Sequence, residues 1–115
     1  MKCFDPAALM EFLKAEEQRH IAAAAALAAD SRRDEANFEK IRANVFGIFS
    51  AVLNAAVKAV GEAKTEEFFR KKLREIPSGW RSALAAARER GDSAAALVEK
   101  LKLDSVAEIE GWLKQ

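Results

Sequence analysis

The chain has 115 residues, and Ala, Leu, Glu, Lys and Arg make up much of its composition, which is typical of an all-α protein. Its 19 Lys and Arg residues nearly balance 18 Asp and Glu residues, so the overall basic excess of a dedicated nucleic-acid-binding protein is missing. This length predicts a single domain over residues 1–115 with one hydrophobic core. The only cysteine, Cys3, cannot form an intramolecular disulfide, and we expect a reduced side chain with no metal partner.

The first twelve residues and the longest uncharged run indicate where the protein is located. Asp5 and Glu11 interrupt the N-terminal apolar residues, so we expect no signal peptide. The uncharged run over 43–57 is too short to cross a bilayer core of about 30 Å as a helix. Together with the single cysteine, these features predict a cytoplasmic protein that does not enter a membrane.

Two long antiparallel helices are predicted in the first half of the chain, over about 6–29 and 32–60. Asp5 followed by Pro6 is typical of the N-cap and first position of a helix. Ser31 is predicted to cap the second helix. Because apolar residues cover well over 100° of the second helix, we expect it to lie at the centre of a bundle.

The second half of the chain predicts shorter helices. Gly61 ends the second long helix, and Thr65 is expected to cap a third. Pro77 is predicted to end that third helix, because the residue before a proline is pushed out of the α region. Ser78 is then expected to cap a fourth helix, which ends at Gly91.

The last part of the chain predicts a fifth and a sixth helix. Asp92 is expected to cap the fifth. Ser105 and Glu108 have the spacing of a capping box, which predicts that a sixth helix begins there. The sequence therefore predicts an all-α compact helical bundle in which three to four shorter helices pack against the two long ones.

The first candidate site lies on the first helix. Three polar residues fall on or beside its apolar stripe, and these are Glu16, Glu17 and His20. One interpretation is a mononuclear metal site completed by Glu35 or Glu39 of the facing helix. The other is a hydrogen-bonded His–Glu cluster completed by Arg42, the usual arrangement of buried charge.

The second candidate site is the basic stretch over 70–81. Its candidate partner-binding residues are Arg70, Arg74, Trp80 and Arg81. Trp and Arg are frequent at binding hot spots, so a helix–helix corner carrying both can bind a protein. The alternatives are a solvated helix face with Trp80 in the core, and weak nucleic-acid binding through this stretch.

No sequence motif decides the function. The chain has one histidine, no glycine-rich phosphate loop and no Cys-x-x-Cys motif, so we expect neither an enzyme nor a bound cofactor. The interpretation we favour is a small non-enzymatic cytosolic protein-interaction or regulatory module, with self-association as a homodimer left open. A small-molecule or metal-binding bundle that uses Glu16, Glu17 and His20 is the alternative from a different class.

Overall fold

In the computed structural model, which describes residues 4–115, the chain forms four helices arranged as two consecutive hairpins. The helices are α1 (Pro6–Ala29), α2 (Arg33–Val60), α3 (Glu62–Glu89) and α4 (Ser93–Leu113). α1 packs along α2, α3 packs along α4, and α2 contacts both helices of the second hairpin. The predicted all-α bundle is confirmed, and so are its first two helices, but two further long helices, α3 and α4, take the place of the three to four shorter helices that the sequence predicts. Cys3, whose reduced state the sequence predicts, lies outside the described residues.

Both hairpins turn through a backbone motif with a left-handed residue after the first helix. After α1 this residue is Ser31, with φ of 61°, and the Arg32 N–H donates to the Leu27 carbonyl oxygen at 2.9 Å. After α3 the equivalent residue is Gly91, with φ of 73°. The hydrogen bonds are those of a Schellman motif. The prediction that Ser31 caps the second helix is therefore wrong, because Ser31 ends α1 and Arg32 precedes α2 without a side-chain cap.

Two predicted aspartate caps are confirmed. Asp5 Oδ1 accepts a hydrogen bond from the Ala8 N–H at 3.1 Å, and Pro6 occupies the first turn of α1. Asp92 Oδ1 accepts one from the Ala95 N–H at 3.0 Å at the start of α4. Each carboxylate satisfies an N–H group that has no partner within its helix.

A single residue, Gly61, joins α2 to α3. Its φ of 75° and ψ of 170° lie in a region that is essentially restricted to glycine. α3 begins at Glu62, so the predicted Thr65 cap is wrong. Thr65 is buried, and its Oγ1 instead donates to the Gly61 carbonyl oxygen at 2.6 Å.

Pro77 lies inside α3, whereas the sequence predicts the end of a helix there. Its ring is fully buried, and Leu73 and Trp80 on either side of it pack in or against the same core. A proline inside a helix costs about 3 kcal/mol, and burying each large apolar side chain contributes about 1.5–3 kcal/mol. Packing therefore outweighs the missing hydrogen bond. Ser78 does not cap a new helix, because its Oγ donates to the Glu75 carbonyl oxygen.

The predicted break before Ser105 is also wrong. Ser105 is buried in the middle of α4, and its Oγ donates to the Leu101 carbonyl oxygen at 3.1 Å. The apolar residues before and after Ser105 lie on one continuous face, so burial favours one uninterrupted helix. The side chain of Glu108 is consequently free to approach α1 instead of capping a helix.

The core draws side chains from all four helices. Its buried members are Leu9, Leu13, Val45, Phe46, Phe49, Leu53, Phe69, Leu73, Val106 and Ile109. Phe49 and Phe69 meet edge to face with ring centroids 6.0 Å apart, and Phe12 stacks on Trp112 at 5.2 Å. These contacts join the two hairpins through aromatic pairs.

The two hairpins leave a larger surface than a compact chain of this size. The radius of gyration is 15.4 Å, whereas 115 residues are expected to give about 13 Å. The accessible surface is 7083 Å², about 900 Å² more than the roughly 6200 Å² expected for this mass. The four helices therefore form a less compact body than most chains of this length.

α2 is the one helix among residues 4–115 that is long and apolar enough to cross a membrane. An 18-residue window within it has a mean hydropathy of 1.5 and at most two charged residues. The core helix of a soluble protein passes the same test, and the buried residues of α2 pack against the other three helices. This property therefore provides only weak evidence for a membrane span.

Candidate functional site

His20 is the centre of a polar cluster between α1 and α2. The residue is 4% exposed, and its ring stacks on Phe46 with centroids 5.6 Å apart. Nδ1 lies 2.5 Å from Glu39 Oε2 on the facing helix. Arg42 donates to the other Glu39 oxygen at 2.7 Å. Because a carboxylate only accepts hydrogen bonds when ionised, the hydrogen between the ring and Glu39 belongs to Nδ1.

The other side of the imidazole faces two more carboxylates. Nε2 lies 3.7 Å from Glu16 Oε2 and 3.3 Å from Nη2 of Arg19. Arg19 also forms a salt bridge with Glu16 at 2.6 Å. Glu108 of α4 reaches the same place, and one ligand atom each from Glu16, His20 and Glu108 lie within 4.8 Å of one another. Three helices therefore contribute to one cluster.

The cluster changes the acid–base behaviour of two of its members. Burial raises the pKa of Glu39, but its hydrogen bonds and charge interactions with His20 and Arg42 outweigh burial and hold the pKa below its ordinary value. The hydrogen bond to Glu16 raises the pKa of Arg19, and the charges of Glu16, Glu108 and Glu39 act in the same direction. Glu39 is therefore stabilised as a carboxylate.

The structure brings some of the sequence candidates together and separates others. The His–Glu pair completed by Arg42 is formed, with Glu39 as the partner. Glu35 is instead paired with Arg32. Glu17 lies beside α2 at Gly47 and does not supply one of the three clustered ligand atoms. Sequence reasoning missed Glu108, because its spacing from Ser105 resembles a capping box.

The arginines of the basic stretch lie along one stripe of α3. With about 100° per residue, Arg74 and Arg81 are within about 40° of Arg70 around the helix. Arg70 forms a salt bridge with Glu66 at 2.9 Å, and Arg81 donates to the Arg74 carbonyl oxygen at 3.1 Å. These contacts are exposed, and pairs of this kind contribute little to stability.

Trp80 does not share the surface of these arginines. It is half-buried and packs against the core, and Lys102 Nζ of α4 lies 5.6 Å from the centre of its ring. Because α3 continues through Pro77, the helix–helix corner expected to present Trp80 with Arg81 does not form. The structure therefore places Trp80 where the alternative interpretation expects it, against the core.

A solvent-open groove of about 800 Å³ lies between the N-terminal halves of α2 and α4. Its apolar lining residues are Phe38, Ile41, Ala94, Leu97 and Val98, and its polar ones are Asp34, Asn37, Lys40 and Asn44. Leu97 is 39% exposed, although it is a large apolar side chain. Leu97 also borders a second hollow of about 420 Å³, which we call the side hollow. Leu97 thus forms a ridge between two depressions.

The chain matches no protein-family model, no curated protein sequence and no solved structure. The arguments for a function therefore rest on the groove and on the polar cluster.

Proposed function

We propose that the protein is a small non-enzymatic interaction module of the cytosol, which assembles as a symmetric homodimer through the groove between α2 and α4. The observation that carries the proposal is the exposed ridge of Leu97 between the groove and the side hollow. A two-fold dimer needs a surface that is complementary to itself. A ridge beside a depression meets this need, because the ridge of each copy enters the depression of the other.

The shape of the groove supports a protein occupant. A small-molecule site encloses most of its ligand, whereas this groove is open to solvent. A standard protein–protein interface buries about 800 Å² on each partner, so a second copy must cover the groove together with the side hollow and the surface around them. Leu97 borders both depressions and lies between them in the proposed contact.

The charges around the groove also permit a second copy to bind. Asp34 and Lys40 line the groove, and Arg88, Asp92 and Lys100 line the side hollow. Both edges carry both signs of charge, so a two-fold-related copy can pair an acid with a base across each edge. The apolar floor supplies the affinity, and the charged rim sets the orientation.

The proposal is tested by sedimentation velocity of the purified chain from about 0.1 to 100 µM, a range that extends to either side of a micromolar dissociation constant. We expect a dimer that dissociates on dilution. Leu97→Lys should shift the equilibrium towards monomer by at least about tenfold, since it places a charge in an apolar contact.

Val57→Lys is the matched control. Val57 is 38% exposed, close to the 39% of Leu97, and it lies on α2 outside the groove. The Val57→Lys variant should dimerise as the wild type does. A wild type that remains monomeric over the whole range would contradict the proposal, as would equal dissociation of the Leu97→Lys and Val57→Lys variants.

A further inference from the structure

We infer that Glu16, His20 and Glu108 form a binding site for one divalent transition-metal ion, best matched by Zn²⁺, in which Glu39 positions the imidazole. This inference does not depend on the homodimer. Imidazole nitrogen and carboxylate oxygen are both zinc ligands, and three protein ligands leave a fourth position open. α1 supplies two of these ligands and α4 supplies the third.

The orientation of the ring carries the inference. The Nδ1–H of His20 donates to Glu39 at 2.5 Å, and Arg42 holds the other oxygen of that carboxylate. In the neutral ring the lone pair is then on Nε2, which faces Glu16. Histidines that bind metal ions usually donate their other ring N–H to a carboxylate or carbonyl group in this way. Glu39 is therefore a positioning residue, not a ligand.

The spacing of the ligand atoms requires little movement. Zinc bonds of about 2.0–2.1 Å in tetrahedral geometry place neighbouring ligand atoms about 3.4 Å apart. The distance from His20 Nε2 to Glu16 Oε2 is already 3.7 Å, and all three ligand atoms lie within 4.8 Å of one another. Glu108 is exposed, so its side chain can rotate towards the other two.

The charges of the cluster fit a divalent cation. Glu16 and Glu108 contribute two negative charges, which one M²⁺ ion neutralises. Without a metal ion, the guanidinium of Arg19 supplies a positive charge beside these groups. Its Nη2 lies 2.6 Å from Glu16 Oε2 and 3.3 Å from His20 Nε2. Its side chain is 60% exposed, so it can move into solvent when the ion binds. Arg19 and the metal therefore compete for the same two side chains.

The test titrates the EDTA-treated full chain with ZnCl₂ by isothermal titration calorimetry. We expect one Zn²⁺ per chain and a melting temperature that rises with zinc concentration. Glu108→Gln should weaken binding at least about tenfold, since loss of even an outer partner has effects of this size. Glu110→Gln, which alters another exposed carboxylate of α4, is the matched control and should bind as the wild type does.

Two further variants separate a metal site from a structural cluster. Arg19→Met should strengthen zinc binding, because it removes the competing cation and adds no oxygen or nitrogen ligand. Glu39→Gln should weaken it about 10- to 100-fold through the ring orientation. Absence of zinc binding, a Glu108→Gln variant that binds as the wild type does, or weaker binding after Arg19→Met would overturn the inference. These variants avoid replacing His20, which is stacked on the core residue Phe46.

Discussion

Gly47→Ala tests whether Glu17 is free or fixed at the interface between α1 and α2. A Cβ atom built on Gly47 lies 2.7 Å from Glu17 Oε2 and 3.4 Å from Glu17 Cδ. The carboxylate must therefore move when alanine is introduced. Within residues 4–115, no hydrogen bond or ion pair holds Glu17. The clashing atoms are also the flexible end of the side chain, which can rotate to another staggered conformation.

The expected magnitude follows from two opposing effects. Alanine in a helix interior is about 1 kcal/mol more favourable than glycine. Displacing an unpaired, partly exposed glutamate costs within about 0.5 kcal/mol, as most surface changes do. We therefore expect Gly47→Ala to raise the free energy of unfolding by about 0.5–1 kcal/mol.

The assay is urea unfolding followed by helical circular dichroism, with Gly79→Ala as the control. Apart from the backbone of its own helix and its chain neighbours, no atom lies within 4 Å of a Cβ built on Gly79, so that variant measures the helix preference alone. A double-mutant cycle with Glu17→Ala isolates the cost of displacing the carboxylate. The reasoning is refuted if Gly47→Ala lowers the free energy of unfolding by more than about 1 kcal/mol and Glu17→Ala reverses the loss. Glu17 would then be held in place.

Three further variants test other features of the fold. Ser31→Gly should raise the free energy of unfolding by about 1 kcal/mol, because Ser31 has φ of 61°, a left-handed conformation that glycine adopts without the cost of a Cβ atom. Thermal unfolding measures the change, and an unchanged stability would contradict the prediction. Ser50→Ala should also raise the free energy of unfolding by about 1 kcal/mol, because the buried Ser50 hydroxyl has no hydrogen-bond partner within residues 4–115. A lower free energy of unfolding in urea would show that the hydroxyl does form a hydrogen bond. The lowered pKa of Glu39 stabilises the fold above its ordinary value of 4.5, and this contribution is lost as the pH falls through the lowered pKa. Glu39→Gln should therefore reduce stability at neutral pH and flatten the acid side of a stability–pH profile, whereas an unchanged profile would contradict this linkage.

Local signals in the sequence predicted the first hairpin well and the second less well. Asp5, Pro6 and Gly61 mark helix ends through their own backbone and side-chain chemistry, so their positions can be predicted without knowing the packing. Pro77 and Ser105 carry equally clear signals, yet α3 and α4 run through them. At both positions the helix is held by burial against other helices, which outweighs local preference.

The candidate site was predictable only in part, for a related reason. The pairing of His20 with Glu39 follows from an antiparallel hairpin that turns near residue 30, since both residues then lie at the same level. The approach of Glu108 depends on how the second hairpin packs across the first. Helical periodicity specifies which face of α4 is apolar, but not which polar residue of α1 lies opposite its edge. The groove depends on the same packing.

The two proposed sites share α2 but can be separated on α4. On α2, Glu39 contacts His20 of α1, while the neighbouring residues Phe38 and Ile41 line the groove, so α2 contributes to both sites. On α4, Leu97 and Glu108 are 11 residues apart, which is about 16 Å along the helix axis. We therefore expect Leu97→Lys to leave zinc affinity unchanged and Glu108→Gln to leave the dimer unchanged, within about twofold in each dissociation constant.

Measuring both constants on both variants checks this expectation. Loss of zinc binding in Leu97→Lys would mean that the dimer orders the cluster, and loss of the dimer in Glu108→Gln would mean that the cluster shapes the groove. Either result would show that the two sites are coupled. Thermodynamic linkage then requires zinc to change the affinity of the dimer by the same factor by which dimerisation changes the affinity for zinc. We expect the two sites to be independent, because no residue of the polar cluster lines the groove or the side hollow. The part of α4 between Leu97 and Glu108 is also held in place by the buried side chains of Leu101 and Ser105.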